Sequence, residues 1–380
     1  MDTNQKYFYF MDNVYGIGSR TVMRLLQVFD SPKEVYEAKE EALARVLGEE
    51  QIHAWIQLKK SFDLEKKFAL LKEKGISFYH LWDDDYPEKL KEIADPPLAL
   101  YVKGKLPEEY KRSVAVIGAR RCSAYGREVA REIGIALGSA GIQVISGMAM
   151  GIDGIAQMGA MDAGGSTFGV LGCGVDICYP ERHHELYGRM QMQGGVISSY
   201  KPGTAPKAEF FPPRNRIISG LSDAVVVVEA GEKSGTIITV DMALEQGREV
   251  LCVPGRITDR LSGGCNRLIE QGAHMILSVD TLIEKLTQVC AYNKGEFADQ
   301  KQVKKQDIDK IDKSMTNREK EVYELLDIHP VSGEQIYLQL AAQSLYNWTF
   351  QEVLQTLWEL VLRGIAENPS GGYYSKKSSY

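Results

Sequence analysis

The chain lacks the short signatures from which enzyme chemistry is usually read. It has no GxxxxGK(S/T) phosphate loop and no GxSxG elbow, and Gly172-Cys173-Gly174 is not continued to the third glycine of a dinucleotide fingerprint. The six cysteines, at 122, 173, 178, 252, 265 and 290, form no CxxC and mostly sit in apolar runs. They read as reduced packing residues, not as bridges or zinc ligands. His183-His184 lacks the i, i+4 spacing of a helical metal pair. Neither a metal nor a cofactor is expected. No apolar run approaches the ~20 residues of a membrane-spanning helix. The first residues lack the basic-then-apolar order of a signal peptide. A cytoplasmic protein without membrane contact is expected.

What is present is ordinary globular composition, 44% apolar and 25% charged over 380 residues, enough for two or three domains. The net charge of −6 argues against a polyanionic partner. Its distribution argues the other way. Between residues 113 and 290 there are 12 Arg and 4 Lys, against 6 Arg and 23 Lys elsewhere. Arginine forms planar bidentate contacts to phosphate that lysine cannot. The core therefore reads as phosphate-recognising, with compositional drift between domains as the alternative.

Periodicity divides the chain. Residues 1–80 read as a small all-α domain and 81–112 as a connector marked by turn residues. Residues 113–290 alternate short apolar runs with helix-compatible stretches. The runs fall at 114–118, 143–146, 166–171, 195–198, 224–229 and 249–253, with another expected at 273–277. Such alternation predicts an extended Rossmann-type, doubly wound parallel α/β sheet. Residues 291–313 read as a flexible linker. Beyond it, 314–380 offers two capping boxes, at Thr316-Asn317-Arg318-Glu319 and Ser332-Gly333-Glu334-Gln335. A third helix over 346–363 and a hairpin turn at 369–372 complete a winged-helix-like module.

Ligands of open parallel sheets bind beyond the carboxyl ends of the strands. Three loops there are candidates. In the first, Gly118 allows a tight turn and Arg120 and Arg121 follow it before a helix. The alternative is a structural turn with a surface arginine. In the second, Ser146, Gly147 and Gly151 offer backbone amides as an anion nest, with Asp153 read as a helix N-cap. In the third, Ser234, Gly235 and Thr236 offer hydroxyl and amide donors at a helix start. A fourth cluster holds Lys207, Phe210, Phe211, Arg214, Asn215 and Arg216. Aromatic rings beside cations suit single-stranded nucleic acid. The alternative puts the phenylalanines in the core and Arg216 in a buried ion pair.

Together these stretches resemble the DprA/Smf family of DNA-processing proteins. The resemblance is carried by Val116-Ile117-Gly118-Ala119-Arg120, Ser146-Gly147-Met148-Ala149-Met150-Gly151-Ile152-Asp153, and Phe211-Pro212-Pro213-Arg214-Asn215-Arg216. It continues through Ser234-Gly235-Thr236, Val253-Pro254-Gly255, and Asn266-x-Leu268-Ile269-x-x-Gly272-Ala273. One departure is Ala156-Gln157, where the family usually has Ala-His. The resemblance implies binding of single-stranded DNA and loading of a RecA-type recombinase onto it in natural transformation. It also implies a homodimer, with Leu268, Ile269, Met275 and Ile276 as interface candidates; plain core is the alternative for these four. For the ends it implies an amino-terminal domain of sterile-alpha-motif or helix-hairpin-helix type and a carboxy-terminal winged helix. Val14-Tyr15-Gly16-Ile17-Gly18 fits a helix-hairpin-helix turn or a degenerate packing turn. The third carboxy-terminal helix carries Trp348, Trp358, Glu352 and Glu359 with Arg363 alone basic, so protein contact suits it better than a DNA groove. The rival function is a LOG-like nucleotide-processing enzyme on the same core. That group's catalytic glutamate has no equivalent here, since Ile237-Ile238-Thr239 follows the glycine-rich loop.

Overall fold

The computed structural model describes residues 4–292, 316–326, 331–343, 346–363 and 365–376. It forms two compact units that part at residue 293.

The first unit opens on six helices: α1 (Gln5–Asn13), α2 (Ser19–Leu26), α3 (Pro32–Glu37), α4 (Glu40–Leu43), α5 (Glu49–Ser61) and α6 (Leu64–Glu73). Ser31 and Asp63 cap α3 and α6 through their side chains, as short polar residues do at helix starts. Then follow β1 (Ser77–His80), α7 (Glu88–Lys91) and β2 (Ala99–Gly104). The alternating part comprises β3 (Ser113–Ile117), α8 (Ala124–Ser139), β4 (Gln143–Ser146), α9 (Ile152–Asp162) and β5 (Thr167–Val170). It continues through α10 (His184–Gln193), β6 (Gly195–Ser198), α11 (Phe211–Gly220), β7 (Ala224–Val227) and α12 (Gly235–Glu245). It ends with β8 (Glu249–Cys252), α13 (Gly263–Glu270), β9 (His274–Met275) and α14 (Val279–Tyr292).

All nine strands join one sheet in the order β1-β2-β6-β5-β4-β3-β7-β8-β9. From β6 to β9 every neighbour is parallel, whereas β1 and β2 are antiparallel at one edge. Successive strand residues face opposite sides of a sheet. Ala115, Ile117, Val225 and Val227 accordingly join one core with residues of α11, α12 and α13. Val114, Val116, Val226 and Leu251 join the other with residues of α8, α9 and α14. Burial on both faces is why these strands read as unbroken apolar runs. A side chain on Gly134 or Gly138 would collide with the Ala156 and Ala160 carbonyls, so glycine lets α8 and α9 touch along their backbones. That contact fixes the loops after β3 and β4 against each other.

Two readings of the amino-terminal half need correction. The segment 81–112 is not merely a connector, because β2 lies within it and pairs with β6. Nor does residue 80 end a separate core. Phe10, Trp55 and Tyr9 share one apolar cluster with Phe78, Tyr101 and Val196 of the sheet edge. Asp12, half-buried, accepts a 2.6 Å hydrogen bond from the Tyr101 hydroxyl, and desolvation holds its carboxyl above the usual carboxylate range. The linker expected at 291–313 lies, beyond Tyr292, outside the described residues.

The second unit holds α15 (Asn317–Glu324), β10 (Val331–Ser332), α16 (Gly333–Gln343), α17 (Phe350–Leu362), β11 (Ala366–Ser370) and β12 (Tyr373–Lys376). Its sheet order is β10-β12-β11. Val322, Ile336, Leu357 and Tyr374 form its core. Both expected capping boxes are made, and Thr349 with Glu352 makes a third.

Candidate nucleic-acid interface

The chain runs from β3 outward to β4, β5 and β6, then returns to place β7 on the other side of β3. The loops after β3 and β7 therefore diverge, and a crevice opens at the carboxyl ends of the strands. A cleft of about 1340 Å³ occupies it. It is lined by the loop after β3 (Gly118, Arg120, Arg121), the start of α11 (Phe211, Asn215), the loop after β7 (Lys233, Thr236) and the loop after β8 (Ile257, Arg260).

Two backbone amides in these loops, those of Ser123 and Gly147, are taken by the protein's own carboxylates. Glu229, buried at the end of β7, accepts from the Ser123 amide at 2.9 Å and from the Ser123 hydroxyl. The anion at the amino end of α8 is thus internal. Gly118 makes room for Ile152, since a Cβ there would lie 2.7 Å from Ile152. The Gly147 amide donates to Asp153 Oδ2 at 3.1 Å. Asp153 is consequently not the N-cap of α9; Gly151 is, at φ +83, pressed against the Ala119 and Arg120 carbonyls. Ser146 is buried and donates to the Val116 carbonyl at 2.6 Å, tying β4 to β3.

The arginines of α11 also turn away from the cleft opening. Arg214 is 4% exposed. Its guanidinium donates to the carbonyls of Gly147, at 3.0 Å, and Val170, and its Nε donates to Asn215 Oδ1 at 3.2 Å. Burial, opposed by the nearby Asp153, lowers its pKa to about 10. Burial pushes the Asp153 carboxyl up against the pull of Arg214. Arg216 pairs at 3.0 Å with Asp95, an exposed loop carboxylate, so its ion pair is not a buried one. Ser234 caps α12 by accepting from the Thr236 amide, while Gly235 stays exposed.

What faces outward is a set of cations on aromatic faces. The exposed Arg120 guanidinium carbon stands 5.4 Å from the Phe211 ring centre, and the buried Arg214 lies 5.7 Å from the same ring on the inner side. Tyr179 packs against Phe211 at 5.5 Å. The exposed Lys207 ammonium is 5.6 Å from Phe210, which stacks on Tyr200 at 4.5 Å and 30°. Both phenylalanines are half-buried, between the core and the solvated readings. Pro212 and Pro213 sit in the first turn of α11, where their missing N–H groups cost nothing, and so α11 starts at Phe211. Sequence reasoning missed Tyr179, Lys233 and the loop after β8. The last had a visible signal, Arg256 and Arg260 directly after a strand.

Leu268 and Ile276 fill the two cores of the sheet. Ile269 is half-buried, and Met275 on the edge strand β9 is 38% exposed. The turn around Gly16 packs against α5, where Gln51 Nε2 donates to the Gly16 carbonyl at 2.6 Å. No helix among the described residues is long and apolar enough to cross a membrane.

The fold is that of open, doubly wound α/β proteins, whose ligands bind in the crevice beyond the strand ends at the switch point. Comparison with known proteins narrows the class. The family of DNA recombination-mediator protein A matches residues 77–287. The DNA processing protein DprA of Bacillus subtilis is 39% identical over 226 residues, 59% of this chain and 76% of that protein. Protein Smf of Synechocystis is 33% identical over 301 residues, 78% of this chain and 76% of that protein. The crystal structure of DprA from Streptococcus pneumoniae superposes with a TM-score of 0.64 at 32% identity, covering 73% of this chain and 97% of that one. A structure describing the single-stranded DNA binding mode of DNA processing protein A from Helicobacter pylori gives 0.51 at 28% identity, covering 56% and 96%. This chain belongs to the DNA recombination-mediator protein A family.

Proposed function

We propose that this chain binds single-stranded DNA along the strand-end cleft, protects it, and loads a RecA-type recombinase onto it in natural transformation. It acts in the cytoplasm as a homodimer and as a binding protein, not an enzyme. The observation that carries this reading is the exposed Arg120 guanidinium beside the Phe211 ring, repeated by Lys207 beside Phe210. Cations hold phosphates and rings stack on bases of any sequence. The core is of extended Rossmann type. The second unit, of winged-helix type, serves protein contact through the exposed Trp358 and Leu362 of α17. A nucleotide-processing enzyme is not favoured, because α12 carries Ile238 and Thr239 into the cleft where a catalytic carboxylate would be required.

Gel shifts with single- and double-stranded oligonucleotides at several salt concentrations test the reading. Single strands are expected to bind tighter, with little sequence preference. With Arg120, Arg121, Lys207 and Lys233 on phosphates, log K should fall against log salt with a slope of about −3, at about −0.7 per contact. Equal affinity for duplex would overturn the proposal.

The contact between copies is assigned to the β9 edge, where Met275 is joined by Leu277 at 69% exposure. Light scattering at micromolar concentration should report twice the 42.4 kDa chain mass. A monomer alone would remove this part.

A further inference from the structure

The loop after β8 carries a side chain that neither folding nor the site described so far accounts for. Both feet of the loop are fixed. The Gly255 amide donates to Asn266 Oδ1 at 3.1 Å, and its carbonyl accepts from Asn266 Nδ2 at 2.9 Å. The Leu261 carbonyl accepts from the Ala230 amide at 2.8 Å. Between the feet, the Asp259 amide donates to the Arg256 carbonyl and the Ser262 amide to the Asp259 carbonyl. The tip of this braced turn is Ile257, 97% exposed and the most exposed large apolar side chain among the described residues. It lines the mouth of the cleft, with exposed Arg256 and Arg260 on either side of it in the chain.

Strand order places this loop across the crevice from Tyr179 and Phe211, which follow β5 and β6. Four inter-strand steps separate β5 from β8, roughly 19 Å at ~4.8 Å per step. That width admits several nucleotides of one strand. An isoleucine held in water gains nothing for the fold. Single exposed apolar side chains are common, but this one stands on a braced turn at the cleft, between two arginines in the chain. The side chains beside it in the loop are Arg256, Thr258, Asp259 and Arg260, so cations and polar groups flank it along the chain. In proteins that bend duplex DNA, apolar side chains including isoleucine enter between base steps as wedges and unstack them, while neighbouring cations hold the strand.

We propose that Ile257 is such a wedge. It inserts between two adjacent bases of the single strand in the cleft while Arg256 and Arg260 hold the phosphates on each side. The wedge rests on the single-stranded DNA reading above. It adds a base-unstacking function at the end of the cleft remote from Phe211. The strand would leave the cleft with one step opened and its bases turned outward.

The test uses the full chain and oligonucleotides carrying two adjacent 2-aminopurines, whose fluorescence is quenched while they are stacked. Wild-type binding should raise the emission for one placement of the pair. Ile257→Ser should lose most of that rise and bind roughly 3- to 30-fold more weakly, the loss of apolar contact being partly offset by bases left stacked. Its melting temperature should equal wild type, because the side chain makes no folded-state contact. Ile257→Trp should keep the affinity. Purine runs stack more strongly than pyrimidine runs and resist opening, so a wild-type preference for oligo(dT) over oligo(dA) should shrink in Ile257→Ser. The same emission rise and affinity in Ile257→Ser would overturn the wedge and leave single-strand binding standing. So would unchanged DNA binding with lost self-association, which would assign Ile257 to a contact between copies. A wild-type chain that binds no single strand would overturn both proposals.

Discussion

Arg120→Ala is expected to weaken binding of single-stranded DNA about 10- to 150-fold and to leave the fold intact. The side chain is exposed and held beside the Phe211 ring, aimed into the cleft. Its removal deletes a charge-assisted, bidentate phosphate contact worth roughly 1.5–3 kcal/mol. It makes no ion pair within the chain among the described residues, so stability should hardly move. Arg120→Lys should recover only part of the affinity, since the charge remains and the planar fork does not. Lys207→Ala should have a smaller effect, because its ammonium already lies 3.9 Å from Glu209. The double variant should approach background. Affinity by fluorescence anisotropy and melting temperature, measured on one preparation, decide the matter. A lowered melting temperature with full affinity would make Arg120 a structural residue.

Arg214→Met is expected to do the opposite, lowering stability by about 3–5 kcal/mol. Arg214 is enclosed, ties the carbonyls of Gly147 and Val170 together, and faces the buried Asp153. Without it, Asp153 is a buried carboxylate with no cation. The effect should depend on pH. Asp153 already has its carboxyl raised by burial, and Arg214 holds it down. A folded carboxyl raised above its unfolded value favours folding below the unfolded value, and this favour is lost as pH rises towards the folded one. Removing Arg214 raises the folded value further. The loss of stability should therefore be largest near neutral pH and shrink as pH falls towards about 4, the unfolded carboxylate value. Urea unfolding of both proteins at pH 7 and pH 5 measures this. An equal difference at the two values would detach Asp153 from the effect. Arg214→Met combined with Asp153→Asn should recover part of the loss.

The parallel strands were legible because both their faces are covered, so nearly every residue in them is apolar. The runs at 143–146 and 195–198 coincide with β4 and β6. The edge strands were not legible. Ser77–His80 is four residues long and half exposed, and Ala99–Gly104 follows a proline pair that reads as loop. Its partner β6 lies far along the chain. The site was legible as a set of loops and opaque as a set of contacts. Glycine spacing shows where amides are uncovered, not what covers them. Glu229 reaches Ser123 across 106 residues, and nothing local to either announces it. Likewise Arg214 and Arg216 sit two apart on α11, and only packing shows that one is enclosed while the other is bound to Asp95.

The pairing of β2 with β6 bears on how the chain is made. Residues up to 104 are synthesised before Val196, which their aromatic cluster packs against, and before β6. A two-stranded ribbon of β1 and β2 is marginal alone. The roughly 90 residues still to come before β6 take between about 5 and 20 seconds at about 5–20 residues per second. For that interval β2 lacks the neighbour that β6 supplies in the finished sheet. Of the described residues that pack on Phe78 and Tyr101, those of the amino-terminal helices are made first.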